Sequence, residues 1–224
     1  MENKMDITFE YLSDFKLGVV VYRNVLPKSL KIIERLEETI GGSTTPTYMW
    51  QEALVGDYES MPQYRNCFDC KIDEIRAKAA PSQYSEIYNI WKDTVNPLTA
   101  CLKHYESLVN VKTEYMEAIN YVKYGVGQHF QTHADHGFSY TCVVSSVMYL
   151  NDDYEGGELW FPRFDLKFKP DAGDIIFFPS SFLFQHASLP VTSGTKYSAV
   201  TMFDYNDRHH ICTGISQGNY SAKH

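Results

Sequence analysis

A chain of 224 residues, 44% apolar and 15% aromatic, can build a packed core and is too hydrophobic for intrinsic disorder. Its net charge of −8 argues against a protein that holds a phosphate backbone by charge, so no nucleic-acid partner is expected. The longest apolar runs are strand-sized and too short to span a bilayer, so no membrane partner is expected either.

The first stretch, 1–26, holds two short strand candidates, Asp6–Tyr11 and Leu17–Tyr22. Pro27-Lys28-Ser29 opens a helix with apolar positions at Leu30, Ile33, Leu36 and Ile40, and Gly41-Gly42 ends it. Residues 43–66 lack a clean period; aromatics tucked onto the body and a substrate-covering lid are equally weighted readings. Residues 71–109 read as helical. Ile72, Ile75 and Ala79 form a short stripe there, and a longer one runs from Ile87 to Leu108, with Pro97 a place to kink or split it.

From Val111 the pattern changes to strands: Glu114–Val122, Phe130–Asp135, Tyr140–Leu150, Glu158–Phe161, Leu166–Phe168, Asp174–Phe178, Phe182–Ser188 and Lys196–Tyr205. About eight short strands without helices between them predict an all-β sandwich or jelly roll. No repeat or linker interrupts the chain, which reads as a single domain. It comprises an N-terminal part of strands, loop and supporting helices (1–110), a β core (111–205) and a polar tail (206–224). Five cysteines, Cys67, Cys70, Cys101, Cys142 and Cys212, are an odd count with no secretion signal ahead of them. Reduced thiols in a soluble, cytoplasmic protein are expected. Cys67-Phe68-Asp69-Cys70 has no second pair to make a zinc site, and a redox role is the minority reading.

The chemistry gathers at His133-Ala134-Asp135. In an extended segment these two side chains share a face and supply two thirds of a facial metal triad. Eight histidines and 28 acidic residues in 224 make one His-x-Asp/Glu by chance, since 8 × 28/224 = 1, so the pair needs support. A second pair, His104-Tyr105-Glu106, falls on the long helix, where residues two apart diverge, and reads as surface. Support comes from His186, set among apolar residues, and from Lys196. Lys196 and Ser198 share a strand face with Val200 and Met202, and a cation on so apolar a face needs an anionic partner. A carboxylate ligand would serve, with the Ser198 hydroxyl as a further donor. His129 and His136 are read as non-ligands, and His209-His210 as without function.

His133-x-Asp135, His186 and Lys196, with Tyr124-Gly125-Val126-Gly127-Gln128, Tyr149-Leu150-Asn151 and Gly156-Gly157-Glu158-Leu159-Trp160-Phe161-Pro162, resemble the Fe(II)/2-oxoglutarate-dependent dioxygenases. The resemblance is to their prolyl 4-hydroxylase branch and covers roughly 115–205. It implies a double-stranded β-helix (jelly roll, cupin-like) with helices packed on one face. It implies Fe(II) held by His133, Asp135 and His186 as catalytic and metal-binding residues, with 2-oxoglutarate, O2 and ascorbate as the other cofactors. Lys196 and Tyr149 would bind the far carboxylate of 2-oxoglutarate, Tyr124 would lie near co-substrate and iron, and Ser198 would assist. A lysine rather than an arginine at 196 leans toward collagen-type and plant-type prolyl 4-hydroxylases. Asp135 speaks against halogenation, because related halogenases lack this carboxylate. Arg208 is the only arginine after His186, which disfavours nucleic-acid demethylation.

The function so implied is hydroxylation of a prolyl residue in a peptide or protein, with succinate and CO2 released. The alternatives are the same chemistry on a small-molecule amino acid or other metabolite, and a non-catalytic jelly-roll binding module.

Overall fold

The computed structural model describes residues 8–12, 18–55, 59–137 and 140–210. Two large antiparallel sheets face each other, a helical layer backs the larger one, and Glu155–Gly156 pairs with Val191–Ser193 as a separate two-stranded sheet. The larger sheet runs Phe9–Tyr11, Val20–Tyr22, Ile175–Pro179, Val144–Tyr149, Lys196–Asp204, Ile119–Tyr124, Phe68–Ile72, Gln51–Glu52, with Tyr115–Met116 also on Lys196–Asp204. The smaller runs Leu166–Phe168, Leu159–Phe161, His186–Ser188, His129–His133, Arg65–Asn66. Mainly antiparallel sheets with N-terminal helices bear out the expected jelly-roll core.

Side-chain alternation assigns each strand face to a different environment. On Lys196–Asp204, Ala199 and Phe203 enter the core under the helices, while Lys196, Ser198, Val200 and Met202 line the cavity between the sheets. The first core is closed by the helices Ile32–Ile40 and Glu86–Val109. Arg35 joins these two helices, donating to Glu86 at 2.7 Å and to Asp93 at 2.8 Å. A second core, including Val147, Leu159, Phe161, Ile176 and Phe178, fills the space between the sheets beside the cavity.

Several expectations are corrected. The first helix starts at Ile32, because Lys31 takes a left-handed conformation after a single 3-10 turn, Lys28–Leu30. Its buried stripe is therefore Ile32, Leu36 and Ile40, not Leu30 and Ile33. Ile72 ends the strand Phe68–Ile72 instead of opening a helix, since that strand pairs with Ile119–Tyr124. The next helix, Glu74–Lys78, is capped by the Asp73 carboxylate, and it leaves Ile75 80% exposed. Helix Glu86–Val109 passes through Pro97 unbroken; the buried stripe on both sides, from Ile87 to Tyr105, outweighs one lost hydrogen bond.

Other differences are local. Phe182–Phe184 is a 3-10 turn, and only His186–Ser188 is strand. Of the 43–66 segment, Tyr48 and Trp50 are tucked into the first core, while Arg65 reaches the cavity. His104 and Glu106 are half-buried, not surface: His104 Nδ1 lies 3.0 Å from the Tyr22 hydroxyl, and Glu106 accepts from Thr113. Cys67 and Cys70 are free, buried thiols in two different cores, with burial raising both, which speaks against a redox pair. Cys101 and Cys142 are also free, and Cys212 lies outside the described residues. Among the described residues no helix is long and apolar enough to cross a membrane.

Gly156 sits at φ +71° in the turn that carries the Gly156-Gly157 motif, where an added Cβ would collide with the Pro190 carbonyl. Gly156→Ala is expected to destabilise the fold by about 1–3 kcal/mol, read as a lowered denaturant midpoint.

Candidate active site

The strand His129–His133 pairs with His186–Ser188, and the register sets His186 opposite His133. Asp135 lies just past the end of its strand, in a bend, so a short turn completes what alternation alone predicts. Its Oδ1 is 3.4 Å from His133 Nε2, and its Oδ2 is 3.8 Å from His186 Nε2. One ligand atom from each of the three lies within 4.8 Å of the others, and among the described residues this is the only such cluster of His, Cys, Asp and Glu.

Both imidazoles are oriented from behind. His133 Nδ1 is 2.8 Å from the Gln131 carbonyl and His186 Nδ1 is 3.1 Å from the Phe184 carbonyl. A carbonyl can only accept, so each Nδ1 carries the proton and each Nε2 offers a lone pair to the centre. Phe130 stacks on His133 at 3.6 Å, and Phe178 meets the edge of His186 at 4.7 Å. Burial pushes the His186 pKa down to about 4, which keeps the ring neutral and able to ligate at neutral pH. Burial alone would raise Asp135, but the two histidines hold its carboxyl well below the usual range. Two neutral imidazoles and one carboxylate are the donor set that suits Fe(II) with positions left open.

The three side chains open onto a cavity of about 120 Å³, below the roughly 300–1,000 Å³ of pockets for drug-sized ligands. Lys196 is only 2% exposed there. Its Nζ donates to the Gly157 carbonyl at 2.7 Å and to Ser188 Oγ at 2.9 Å, and no carboxylate pairs with it among the described residues. The Tyr124 and Tyr149 rings flank the Nζ at 5.2 Å and 5.5 Å. Burial lowers the Lys196 pKa to about 7. The Tyr149 hydroxyl is buried with no hydrogen-bond partner among the described residues. A buried, unpaired cation beside an orphaned hydroxyl fits the far carboxylate of a small diacid.

The structure therefore brings together every residue expected at the site: His133, Asp135, His186, Lys196, Tyr149, Tyr124 and Ser198 all line this cavity. Ser198 does not touch Lys196 Nζ in any recorded hydrogen bond; Ser188 does. Ser188 was missed, although it lies two residues after His186 and so shares its face. Arg65, Lys71, Glu117 and Asn120 also line the cavity and were missed. No local pattern marks them, because pairing of the Phe68–Ile72 strand and the Arg65–Asn66 strand to distant partners brings them in. His129 and His136 stay outside the cluster. His129 lies 3.3 Å from the Gly127 and Gln63 carbonyls, and His136 Nδ1 lies 2.8 Å from the Cys142 carbonyl. His210 has a structural place, stacked on Tyr115 and 2.9 Å from Asp204.

Residues 119–204 match the model of the 2OG-Fe(II) oxygenase superfamily. A putative prolyl 4-hydroxylase of Acanthamoeba polyphaga mimivirus is 28% identical over 137 residues, covering 51% of this chain and 56% of that protein. Prolyl 4-hydroxylase 13 of Arabidopsis thaliana is 33% identical over 115 residues, covering 38% and 42%. The chain thus spans about half the length of these curated relatives. Among solved structures, the prolyl hydroxylase of Trichoplax adhaerens in complex with a hypoxia inducible factor peptide superposes with a TM-score of 0.65 at 16% identity. That match covers 85% of this chain and 84% of that one, and it shows the shared fold. Family and triad together imply Fe(II) and 2-oxoglutarate. The segment that matches the 2OG-Fe(II) oxygenase superfamily is also the one that carries the three-ligand cluster, and the chain has prolyl 4-hydroxylase-like homologues by sequence and by fold.

Proposed function

We propose that this protein hydroxylates a prolyl ring, carried by a peptide, a protein or a free amino acid, with conversion of 2-oxoglutarate to succinate and CO2. The observation that carries the reading is the placement of a buried, unpaired Lys196 in the same small cavity as His133, Asp135 and His186. Lys196 supplies a point charge for the distal carboxylate, Tyr149 donates its free hydroxyl to it, and Tyr124 packs under the Lys196 ammonium from the neighbouring strand. Ser198, on the same strand face as Lys196, lines the path between them and the triad. His133, Asp135 and His186 would hold Fe(II), which would supply the activation of O2 that hydroxylation needs. Phe130, Phe161 and Phe178 pack around the two imidazoles and exclude water from that side. The prolyl assignment rests on the two curated relatives named prolyl 4-hydroxylases.

The test measures succinate against proline-containing peptides, free proline and other amino acids, with Fe(II) and 2-oxoglutarate supplied. Turnover confined to non-prolyl compounds removes the prolyl assignment and leaves the oxygenase chemistry. Tyr149→Phe is expected to raise KM for 2-oxoglutarate about tenfold, the worth of one hydrogen bond to a charged group. It should leave the melting temperature unchanged or higher, because the hydroxyl is unpartnered without ligand.

A further inference from the structure

The triad lines one cavity together with Lys196 and with Glu117. Lys196 closes one end through Ser188, which stands two residues from His186 on the same strand. The other end lies six residues along Lys196–Asp204, at Met202, whose carbonyl accepts the Glu117 N–H at 2.9 Å. At roughly 3.3 Å per residue the two ends are about 20 Å apart along the strand. Asp135 lines the same cavity and interacts with His186 and His133, with Ser145 and with Glu117.

That second end is lined by polar groups with hydrogen-bonding capacity to spare. Glu117 is only 6% exposed; burial raises its carboxyl pKa, Tyr140 is its hydrogen-bonding neighbour, and no ion pair engages it among the described residues. Lys71 lines the same cavity and is the cation that acts on it most, without closing to an ion pair. Asn120, in register with Lys71, donates through Nδ2 to Asp69 at 3.3 Å. Its Oδ1 is buried with no partner among the described residues. An acid, a base and a spare acceptor thus face one small space beyond the triad.

We propose that Glu117, Asn120 and Lys71 form a zwitterion-binding subsite that presents a free α-amino or imino acid to the triad. Glu117 and Asn120 Oδ1 accept from the protonated nitrogen, and Lys71 meets the carboxylate. A secondary ammonium has two N–H groups, one for each acceptor. An internal prolyl residue has neither charge nor N–H; placed here it would leave Glu117 and Lys71 without the ionic partner that a zwitterion supplies. The inference rests on the oxygenase reading above and narrows its substrate to a charged small molecule.

The experiment compares kcat/KM of the Fe(II)-loaded protein for free proline and other free amino acids with that for their N-acetyl amides and a blocked Gly-Pro-Gly peptide. Product is followed by mass spectrometry. At least one free acid should be favoured tenfold or more over its capped form. Glu117→Gln and, separately, Lys71→Met should each raise KM for that acid tenfold or more, acting on KM more than on kcat, and should flatten the preference. Turnover of the blocked peptide at or above the level of every free acid overturns the proposal, as does a preference that survives both substitutions. Succinate released by the wild-type protein without any prime substrate separates the two readings. If it is present while the preference is absent, only the subsite falls. If 2-oxoglutarate is never consumed, the oxygenase reading falls, and the subsite with it.

Discussion

Asp135→Ala is expected to abolish Fe(II)-dependent turnover. Asp135 is the only anionic member of the cluster, and its two oxygens face His133 and His186 at 3.4 Å and 3.8 Å. Losing it removes a ligand and the charge that offsets the metal's. The loss should exceed the roughly 10–100-fold typical of an outer partner, reaching about 10³-fold or more in succinate formation. Anaerobic titration with Fe(II) and 2-oxoglutarate should lose the visible charge-transfer absorbance that the wild-type protein develops. Wild-type-like absorbance in the variant would mean that the metal sits elsewhere. His186→Ala should behave alike. The metal-free variants should stay folded, since the cores under the helices and between the sheets do not depend on this cluster.

Lys196→Met carries the second large effect, and it separates binding from stability. Truncating one partner of a buried charge pair costs about 3–5 kcal/mol, so KM for 2-oxoglutarate should rise about 10²- to 10³-fold. Without ligand the same change should leave the melting temperature equal or raise it. Burial already disfavours the Lys196 ammonium, whose only hydrogen bonds among the described residues are to Gly157 and Ser188. The pH dependence has a definite sign. Burial sets the free protein's Lys196 near 7, and a bound dianion would raise it. The proton is therefore in place before binding below about pH 7 and must be taken up above it. KM for 2-oxoglutarate should be flat below that point and rise up to about tenfold per pH unit above it. Lys196→Arg, which stays charged, should remove the slope while fitting the ligand less well. A slope that persists in Lys196→Arg would assign the titration to another group.

Much of the site was legible because it lies on strands whose alternation is strict. The parity of Lys196, Ser198, Val200 and Met202 placed them on one face, and all four line the cavity. The spacing of His133 and Asp135 worked although the strand stops at His133, because a bend carried Asp135 the last step. Ile72 was misread for the opposite reason: apolar spacing there fits a helix, and only pairing with Ile119 makes it strand. Phe182–Phe184 was misread as strand because a run of large apolar residues carries no period to distinguish it from a turn. Arg65, Lys71, Glu117 and Asn120 carry no local signature at all. Their meaning arises only when sheet pairing over 50 or so residues brings them to one cavity.

The middle of the larger sheet is occupied by Lys196–Asp204, the last of the described strands in chain order, between Val144–Tyr149 and Ile119–Tyr124. During synthesis those two neighbours emerge well before the strand that will separate them, so each waits with a bare hydrogen-bonding edge. A nascent chain stopped short of residue 196 has both imidazoles and the carboxylate but lacks the strand that joins Val144–Tyr149 to Ile119–Tyr124. Chains stalled at that point expose two unpaired strand edges and are the species most open to aggregation.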